Sequence, residues 1–202
     1  YLMKQYGPNA MVEMMRKMGV GSFLDPVYPL CVGSADISVY EMVSAYNTFP
    51  SKGVYVSPIF VTRIEDSMGN VLGEFNNQKR EAVSEYTAYL MAKMMEGVVT
   101  SGTGAALKGS RYGLKGEIAG KTGTAQILEK GYSNRRHRMS FVGYFPEENP
   151  QYTCICVIHG PQWPYDAGMD CGSVVRHIAE KTMAYAGEYV IKNGKLEIVV
   201  NK

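Results

Sequence analysis

The sequence predicts an α+β fold, in which helices are mixed with mainly antiparallel strands. Two kinds of segment support this prediction. Some have apolar residues at helical spacing and are bounded by caps or glycines, whereas shorter ones alternate with a period of two. The two kinds follow one another without a regular strand–helix repeat, which argues against a doubly wound parallel sheet.

The composition is that of a globular protein with no strong charge. The 202 residues are 46% hydrophobic and 20% charged, with a net charge of +2. This length fits one domain or a large part of one, and the weak charge predicts no nucleic-acid partner. The longest apolar runs are far short of a membrane span. Because the chain begins at Tyr1 and carries no signal peptide, we expect it to be a segment of a longer protein.

Two helices and a hairpin are predicted in the first 80 residues. Apolar residues at helical spacing follow a possible asparagine cap in Asn9–Met18. Ser38 with Glu41 three residues later forms a capping-box pattern, which predicts the start of a second helix. Residues 54–75 alternate, break at residues 68–70 and resume, which predicts a hairpin of two short strands.

The second half of the chain is predicted to hold most of the strands. A strong helix is expected over Ser84–Val99, because Gly102 and Gly104 follow its end. The Asn193-Gly194 pair lies between alternating residues, which is the strongest hairpin signal in the chain. Three strands, a closing helix and this hairpin are expected at residues 117–126, 138–146, 152–160, 171–186 and 188–200.

The run "EIAGKTGTAQ" has three interpretations, of which the first is a phosphate-binding loop. That loop needs a glycine five residues before Gly120, where this chain has Lys115. It also needs a helix after the Lys-Thr pair, whereas Gly123 follows Thr122 directly. A nucleotide site is therefore disfavoured.

The other two interpretations both make the run a strand. It is either an ordinary strand edge with small residues, or the substrate-facing edge of a serine acyltransferase. In the second case Lys121 supplies positive charge for a substrate carboxylate, and Thr122 and Thr124 offer hydroxyl donors. Gly123 lets a peptide lie against the strand, and a backbone N–H can form part of an oxyanion hole.

Four stretches together resemble the second half of the transpeptidase domain of penicillin-binding proteins. They are "DISVYEMVSAYNTFPSKGVYVSP", "YTAYLMAKMMEGVVTSGTGAAL", "IAGKTGTAQ" and "SFVGYFPEENPQYTCICVI". The likeness covers about residues 10–185. It implies the penicillin-binding/β-lactamase-like fold, an antiparallel sheet with flanking helices, incomplete in this chain. Residues 1–186 would be the C-terminal portion of that domain, and residues 187–202 a hairpin or tail.

The resemblance also implies an activity for the parent protein. A serine would attack the D-Ala-D-Ala end of a peptidoglycan stem peptide, and the acyl group would pass to an amine on a neighbouring strand. Lys121, Thr122, Gly123 and Thr124 would bind the carboxylate of the substrate or of a β-lactam, and the Thr124 N–H would serve the oxyanion hole. The Gly102–Gly104 turn would help to shape the site. Other cell-wall synthesis proteins are expected partners, no cofactor or metal is implied, and the protein would be membrane-anchored on the extracytoplasmic face.

Two departures qualify this resemblance. No serine is followed by Lys three residues on or by Asn two residues on, so the chain holds one of the family's three active-site motifs. We therefore expect the nucleophile upstream of Tyr1 and the segment alone to be inert. The alternative is a catalytically inactive penicillin-binding-like domain for muropeptide sensing or scaffolding. The front half is more like class A enzymes and the later motifs more like class B, so the subclass stays open.

The remaining chemically active residues are interpreted mainly as structural. Cys154 and Cys156 share one face of a predicted strand, and no further soft ligands are close enough in sequence for a metal site. His137 is assigned to a solvated basic loop between two strands, although it could also steer an anionic substrate. The histidines at 159 and 177 and Trp163 are interpreted as structural side chains.

Overall fold

The computed structural model describes residues 1–107, 118–127, 136–162, 164–186, 189–192 and 195–198. The chain divides into two compact units, Tyr1–Tyr89 and Leu90–Lys202, and each has its own hydrophobic core. Trp163 and the Asn193-Gly194 turn lie outside the described residues.

The first unit opens with helix α1 (Leu2–Lys17), which contains a kink at Gly7, where φ is 76°. Pro8 follows the kink, and proline is favoured at the first position of a helix because its φ is already helical. The regular part of α1 therefore matches the helix predicted over Asn9–Met18. The preceding turn was not predicted.

Helix α2 (Val39–Tyr46) begins with the predicted capping box. The Ser38 hydroxyl accepts from the Glu41 N–H at 3.2 Å, and the Glu41 carboxylate accepts from the Ser38 N–H at 3.1 Å. The same carboxylate accepts from the N–H groups of Gly21 and Ser22, each at 2.7 Å, and from the Ser22 hydroxyl at 2.6 Å. These hydrogen bonds, led by the hydroxyls of Ser22 and Ser38, lower the pKa of Glu41 from 4.5 to about 2.

The strands of the first unit correct the predicted single hairpin. Strands β2 (Arg63–Glu65) and β3 (Val71–Glu74) form the predicted hairpin around residues 68–70. However, β1 (Val54–Val56) pairs with β4 (Lys79–Glu81), which the sequence analysis missed. Every residue of β4 is charged and exposed, so this strand carries no alternating apolar pattern.

Gly53 lies between α2 and β1 and packs against the residues that follow β4. Its φ is +86°, and a Cβ there would lie 2.1 Å from the Val83 carbonyl oxygen. Its own carbonyl accepts from the N–H groups of Ala82 and Val83. The turn therefore needs a residue without a side chain. The buried core of this unit is formed by Met18, Val20, Leu24, Leu30, Ala45, Tyr55 and Ala82.

The later elements follow the predicted order closely. They are α3 (Glu85–Thr100), β5 (Ala119–Ile127), β6 (Arg136–Phe145), β7 (Tyr152–His159), α4 (Asp170–Tyr185), β8 (Tyr189–Lys192) and β9 (Lys195–Ile198). Strands β5, β6 and β7 form an antiparallel sheet in that order, and β8 pairs with β9. Every described strand pair is antiparallel, which confirms the predicted α+β class.

Helix α4 covers one face of the three-stranded sheet. Met139 and Phe141 on β6 are fully buried, and they belong to one core cluster with Cys171 and Val175 of α4. On the other face the Tyr144 hydroxyl donates to the Ala92 carbonyl of α3 at 3.4 Å. Because residues on a strand alternate between faces, β6 contributes side chains both to the packing against α4 and to the packing against α3.

Candidate active site

Strand β5, which carries the Lys-Thr-Gly-Thr run, is at the end of the sheet. Among the described strands it pairs only with β6, with Lys121 opposite Val142 and Thr124 opposite Met139. The strand starts in the core, because Ala119 is fully buried, and it is exposed at Lys121 and from Thr124 to Gln126. Its second half therefore presents an open backbone edge to an incoming chain.

The four residues of the run lie on two faces of the strand. Thr122 is opposite the buried Phe141 and is itself only 8% exposed, whereas Thr124 is exposed. The Thr122 hydroxyl lies 2.5 Å from the hydroxyl of Thr103 and forms a hydrogen bond with it. Lys121 and Gly123 are on the opposite face, because alternate residues of a strand point to opposite sides. Thr122 and Thr124 therefore share one face of β5 but differ in exposure.

The Lys121 side chain bends along the open edge of β5. Its ammonium donates to the carbonyl of Thr122, and it can reach this carbonyl only on the side that β6 does not occupy. In an antiparallel strand the N–H and C=O of one residue point to the same side, and this direction alternates along the chain. Thr124, two residues on, therefore directs its N–H and C=O to the same open edge as the Lys121 ammonium.

The glycines of the run allow close packing between β5 and β6. A Cβ at Gly123 would lie 2.5 Å from the Ser140 hydroxyl oxygen, and one at Gly120 would lie 2.4 Å from the Val142 carbonyl oxygen. At Gly120 the close atom belongs to the backbone, so a side chain there would push the strands apart, whereas at Gly123 it is the end of the Ser140 side chain, which can rotate away. Gly120 is thus the glycine that the close pairing of β5 and β6 requires.

Thr103 is the site-adjacent residue whose contact the sequence did not reveal. The Gly102–Gly104 turn was predicted to end α3 and, by resemblance, to shape the site. Nothing in the pattern identified the hydroxyl of Thr103 as the group that touches β5. The pairing joins residues that are 19 positions apart, and only the folded sheet brings them together.

The structure corrects the interpretation of His137. This residue is on strand β6, opposite Gln126, and is half-buried rather than in a solvated loop. Its Nδ1 lies 2.5 Å from the Tyr165 hydroxyl, and the two rings are 5.0 Å apart. His159 lies at the end of β7 and its Nδ1 accepts from the Arg138 Nε at 3.4 Å. Among the residues that the structure describes, neither histidine contacts the serine or cysteine that a catalytic triad needs.

Three of the four cysteines pack against the core, as predicted for the strand pair Cys154 and Cys156, whereas Cys31 is exposed. Cys171 is fully buried, and Cys154 and Cys156 on β7 pack against the same core. Burial raises the pKa of all three thiols, that of Cys171 to about 12. Because the thiolate is the reactive form, these cysteines are poor nucleophiles at neutral pH.

The other candidate sites are weaker. In the described part of the chain no group of His, Cys, Asp or Glu could hold a metal ion. A cavity of about 440 Å³ lies in the first unit, with the carboxylates of Asp25 and Asp36 in its wall, and it contains no residue of the Lys-Thr-Gly-Thr run. The nucleotide interpretation fails, because β5 continues to Ile127 as a strand and no helix N-terminus follows Thr122.

Comparison with known proteins identifies relatives over nearly the whole chain. Residues 2–184 match the family profile described as the penicillin-binding protein transpeptidase domain. A peptidoglycan D,D-transpeptidase FtsI homolog from Mesostigma viride is 28% identical over 89% of this chain and 36% of its own length. Penicillin-binding protein 2D from Bacillus subtilis is 31% identical over 58% of this chain and 18% of its own length.

The fold is shared with solved structures. Penicillin-binding protein 3 from Mycobacterium tuberculosis superposes with a TM-score of 0.75 at 21% identity, over 98% of this chain and 51% of that one. The same protein complexed with aztreonam gives a TM-score of 0.73. The chain thus spans about a third or less of the length of the two curated relatives and about half of the solved chain.

Proposed function

Because this chain belongs to the penicillin-binding protein transpeptidase family, we propose that it is the substrate-strand half of an active peptidoglycan D,D-transpeptidase. The parent protein would cross-link stem peptides through a serine acyl-enzyme, with the serine upstream of Tyr1. The observation that carries this proposal is the one-sided strand β5, whose exposed half presents Lys121 and Thr124 at an open edge.

The geometry of β5 suits recognition of a peptide that ends in a carboxylate. The acyl donor lies along the open edge, and its terminal carboxylate is bound by the Lys121 ammonium and the exposed Thr124 hydroxyl. The serine Oγ attacks the carbonyl of the penultimate D-Ala, and its proton passes to a base in the upstream part of the domain. The Thr124 N–H, directed to the same edge, donates to the oxyanion that forms at that carbonyl.

The remaining steps transfer the acyl group. Collapse of the tetrahedral intermediate breaks the peptide bond, and the terminal D-Ala leaves with a proton on its amine. An amine from a neighbouring stem peptide then attacks the ester, forms the new amide and returns the proton to the serine. A β-lactam acylates the same serine, but its ring nitrogen stays attached to the acyl group and no leaving group departs.

The two threonines have different roles in this proposal. Thr124 is exposed and contacts the carboxylate, whereas Thr122 is buried and its hydroxyl already bonds to Thr103. Thr122 therefore supports the strand, and its contribution to carboxylate binding is through the position of Lys121. Gly123 has no side chain, which lets a peptide-like substrate lie against this part of the strand.

Intact mass spectrometry of the full-length protein with and without a penicillin tests the proposal. We expect the mass to increase by one penicillin, on a serine outside these 202 residues. Lys121→Ala is expected to slow acylation by about 10- to 100-fold, because it removes a charge-assisted contact worth about 1.5–3 kcal/mol. Lys181→Ala, at an exposed position on α4, is the matched control and should leave the rate unchanged.

The same experiment distinguishes the transpeptidase from the alternative, an inactive domain for muropeptide sensing or scaffolding. A folded wild-type protein that gains no mass but binds a muropeptide in a Lys121-dependent way would be a sensing or scaffolding domain. A protein that neither reacts nor binds would contradict both functions. If Lys121→Ala and Lys181→Ala slowed acylation equally, the proposed role of β5 in binding the carboxylate would be contradicted.

The proposal extends to the cellular setting. Substrates and inhibitors on this account are peptidoglycan stem peptides and β-lactams, and the protein works as a membrane-anchored enzyme on the extracytoplasmic side with other cell-wall synthesis proteins. Among the described residues, no helix is long and apolar enough to cross a bilayer. Membrane fractionation of cells that produce the full-length protein tests its location.

A further inference from the structure

Strand β5 is hydrogen-bonded to a neighbouring strand along one edge only, among the described strands. On one side it has the full ladder to β6, and on the other no described strand pairs with it. An edge strand of this kind moves more easily than a central one, because only one row of hydrogen bonds fixes it. The hydroxyl contact between Thr122 and Thr103 therefore gives β5 a second attachment to the rest of the fold. This attachment is at Thr122, the residue directly after Lys121.

Thr103 is itself fixed by the turn in which it lies. The Gly104 N–H donates to the Val98 carbonyl at 3.0 Å, so the turn is tied back to the last part of α3. The carbonyl of Thr103 packs against Gly168, where an added Cβ would come within 2.5 Å of it. The backbone of Thr103 thus contacts the segment before α4, while its side chain reaches β5.

We propose that Thr103 is a positioning residue for the carboxylate-binding strand. The hydrogen bond between the Thr103 and Thr122 hydroxyls holds β5 in position. The Lys121 ammonium and the Thr124 hydroxyl can then bind the same carboxylate. A misplacement of about 1 Å is enough to weaken such a constellation substantially. This inference rests on the proposed function, since it concerns how the same strand binds its substrate.

A purely structural role for Thr103 makes a different prediction. A general loosening of the domain would slow acylation by every β-lactam to the same degree. A positioning role also acts on the carboxylate contact, so it should slow a penicillin that carries its carboxylate more than the methyl ester of the same compound, which shares only the oxyanion contact to the Thr124 N–H. The ratio of the two acylation rates therefore separates positioning from stability.

The experiment measures this ratio in the full-length protein for wild type, Thr103→Val and Thr103→Ser. Valine keeps the shape without the hydroxyl, and serine keeps the hydroxyl. Thr103→Val is expected to reduce acylation by the carboxylate compound by about 3- to 10-fold, the size of one hydrogen bond. The ester rate should fall by a smaller factor, so the carboxylate-to-ester ratio should drop, and Thr103→Ser should restore the wild-type ratio.

A second variant protects the test against poor folding of Thr103→Val. Thr122→Val breaks the same contact from the strand side, and it should lower the ratio by a similar factor. The double variant should lose no more than either single variant, because both act through one hydrogen bond. If the fold-reductions of the two single variants multiplied in the double variant, the inference would be overturned.

The outcomes separate the inference from the proposed function. A wild-type protein that is not acylated contradicts the proposed function, and the positioning role falls with it. A wild-type protein that is acylated, with an unchanged carboxylate-to-ester ratio in both valine variants, contradicts the positioning role alone. A ratio that falls in Thr103→Val and returns in Thr103→Ser supports both.

Discussion

Glu41→Gln is expected to destabilise the protein at neutral pH and to change its acid sensitivity. The carboxylate accepts five hydrogen bonds, from the N–H and hydroxyl groups of Ser22 and Ser38 and the N–H of Gly21. A glutamine amide supplies one acceptor oxygen and an NH₂ group that cannot accept. It therefore loses the contacts to one carboxylate oxygen and faces the Ser38 N–H with a donor.

The magnitude follows from the lowered pKa. A fall from 4.5 to about 2 corresponds to about 3.4 kcal/mol at about 1.36 kcal/mol per pKa unit. Glu41 is partly exposed, so solvent screening reduces this to about 1–2 kcal/mol. The sign follows from the direction of the shift. The stabilisation is fully present above pH 4.5, the unfolded value, and is lost as the pH falls towards 2.

Chemical denaturation of the protein at several pH values measures this effect. Wild type should exceed Glu41→Gln in free energy of unfolding by about 1–2 kcal/mol at pH 7, and the difference should narrow between pH 4.5 and 2. Glu13→Gln, at an exposed position on α1, is the control and should change little. A difference that stays constant across this pH range would refute the reasoning.

Three further substitutions test the packing of the fold by the same denaturation assay. Thr48→Val should stabilise the protein by about 1 kcal/mol, because the buried Thr48 hydroxyl has no hydrogen-bond partner among the described residues; a loss of stability would show that this hydroxyl is paired. Gly53→Ala should destabilise it by more than about 2 kcal/mol, since φ is +86° and the added Cβ meets a backbone oxygen; a neutral effect would contradict the geometry of this turn. Tyr165→Phe should cost about 1 kcal/mol by leaving His137 without the tyrosine hydroxyl, and an unchanged stability would mean that this contact is replaced by water.

Local sequence patterns predicted most of the elements. The Ser38–Glu41 capping box fixes the start of α2, and the same residues form it in the structure. The Asn193-Gly194 signal correctly predicted the pairing of β8 with β9. These features depend on residues a few positions apart, which is the range over which caps and turns act.

Long-range pairings were not predictable in this way. Strand β4 consists of charged residues and is a strand only because β1 lies beside it. The reach of Glu41 to Gly21 and Ser22 also joins residues about twenty positions apart. No periodicity records such contacts, because the chain brings the partners together only on folding.

The candidate site shows the same division. The Lys-Thr-Gly-Thr run indicated a strand edge with carboxylate-binding groups, and the structure places the run on an end strand. The sequence treated Thr122 and Thr124 alike, whereas the structure buries the first and exposes the second. Both threonines lie on the same face of β5, and the difference arises because the Gly102–Gly104 turn brings the Thr103 hydroxyl against Thr122.

A crystal structure of the full-length protein acylated by a penicillin tests the central claim most directly. We expect the drug carboxylate within about 2.7–3.2 Å of the Thr124 hydroxyl and of the Lys121 ammonium. The Thr122 hydroxyl should remain paired with that of Thr103. An acylated serine whose drug carboxylate contacts neither Lys121 nor Thr124 would contradict the account, because β5 would then not be the carboxylate-binding strand.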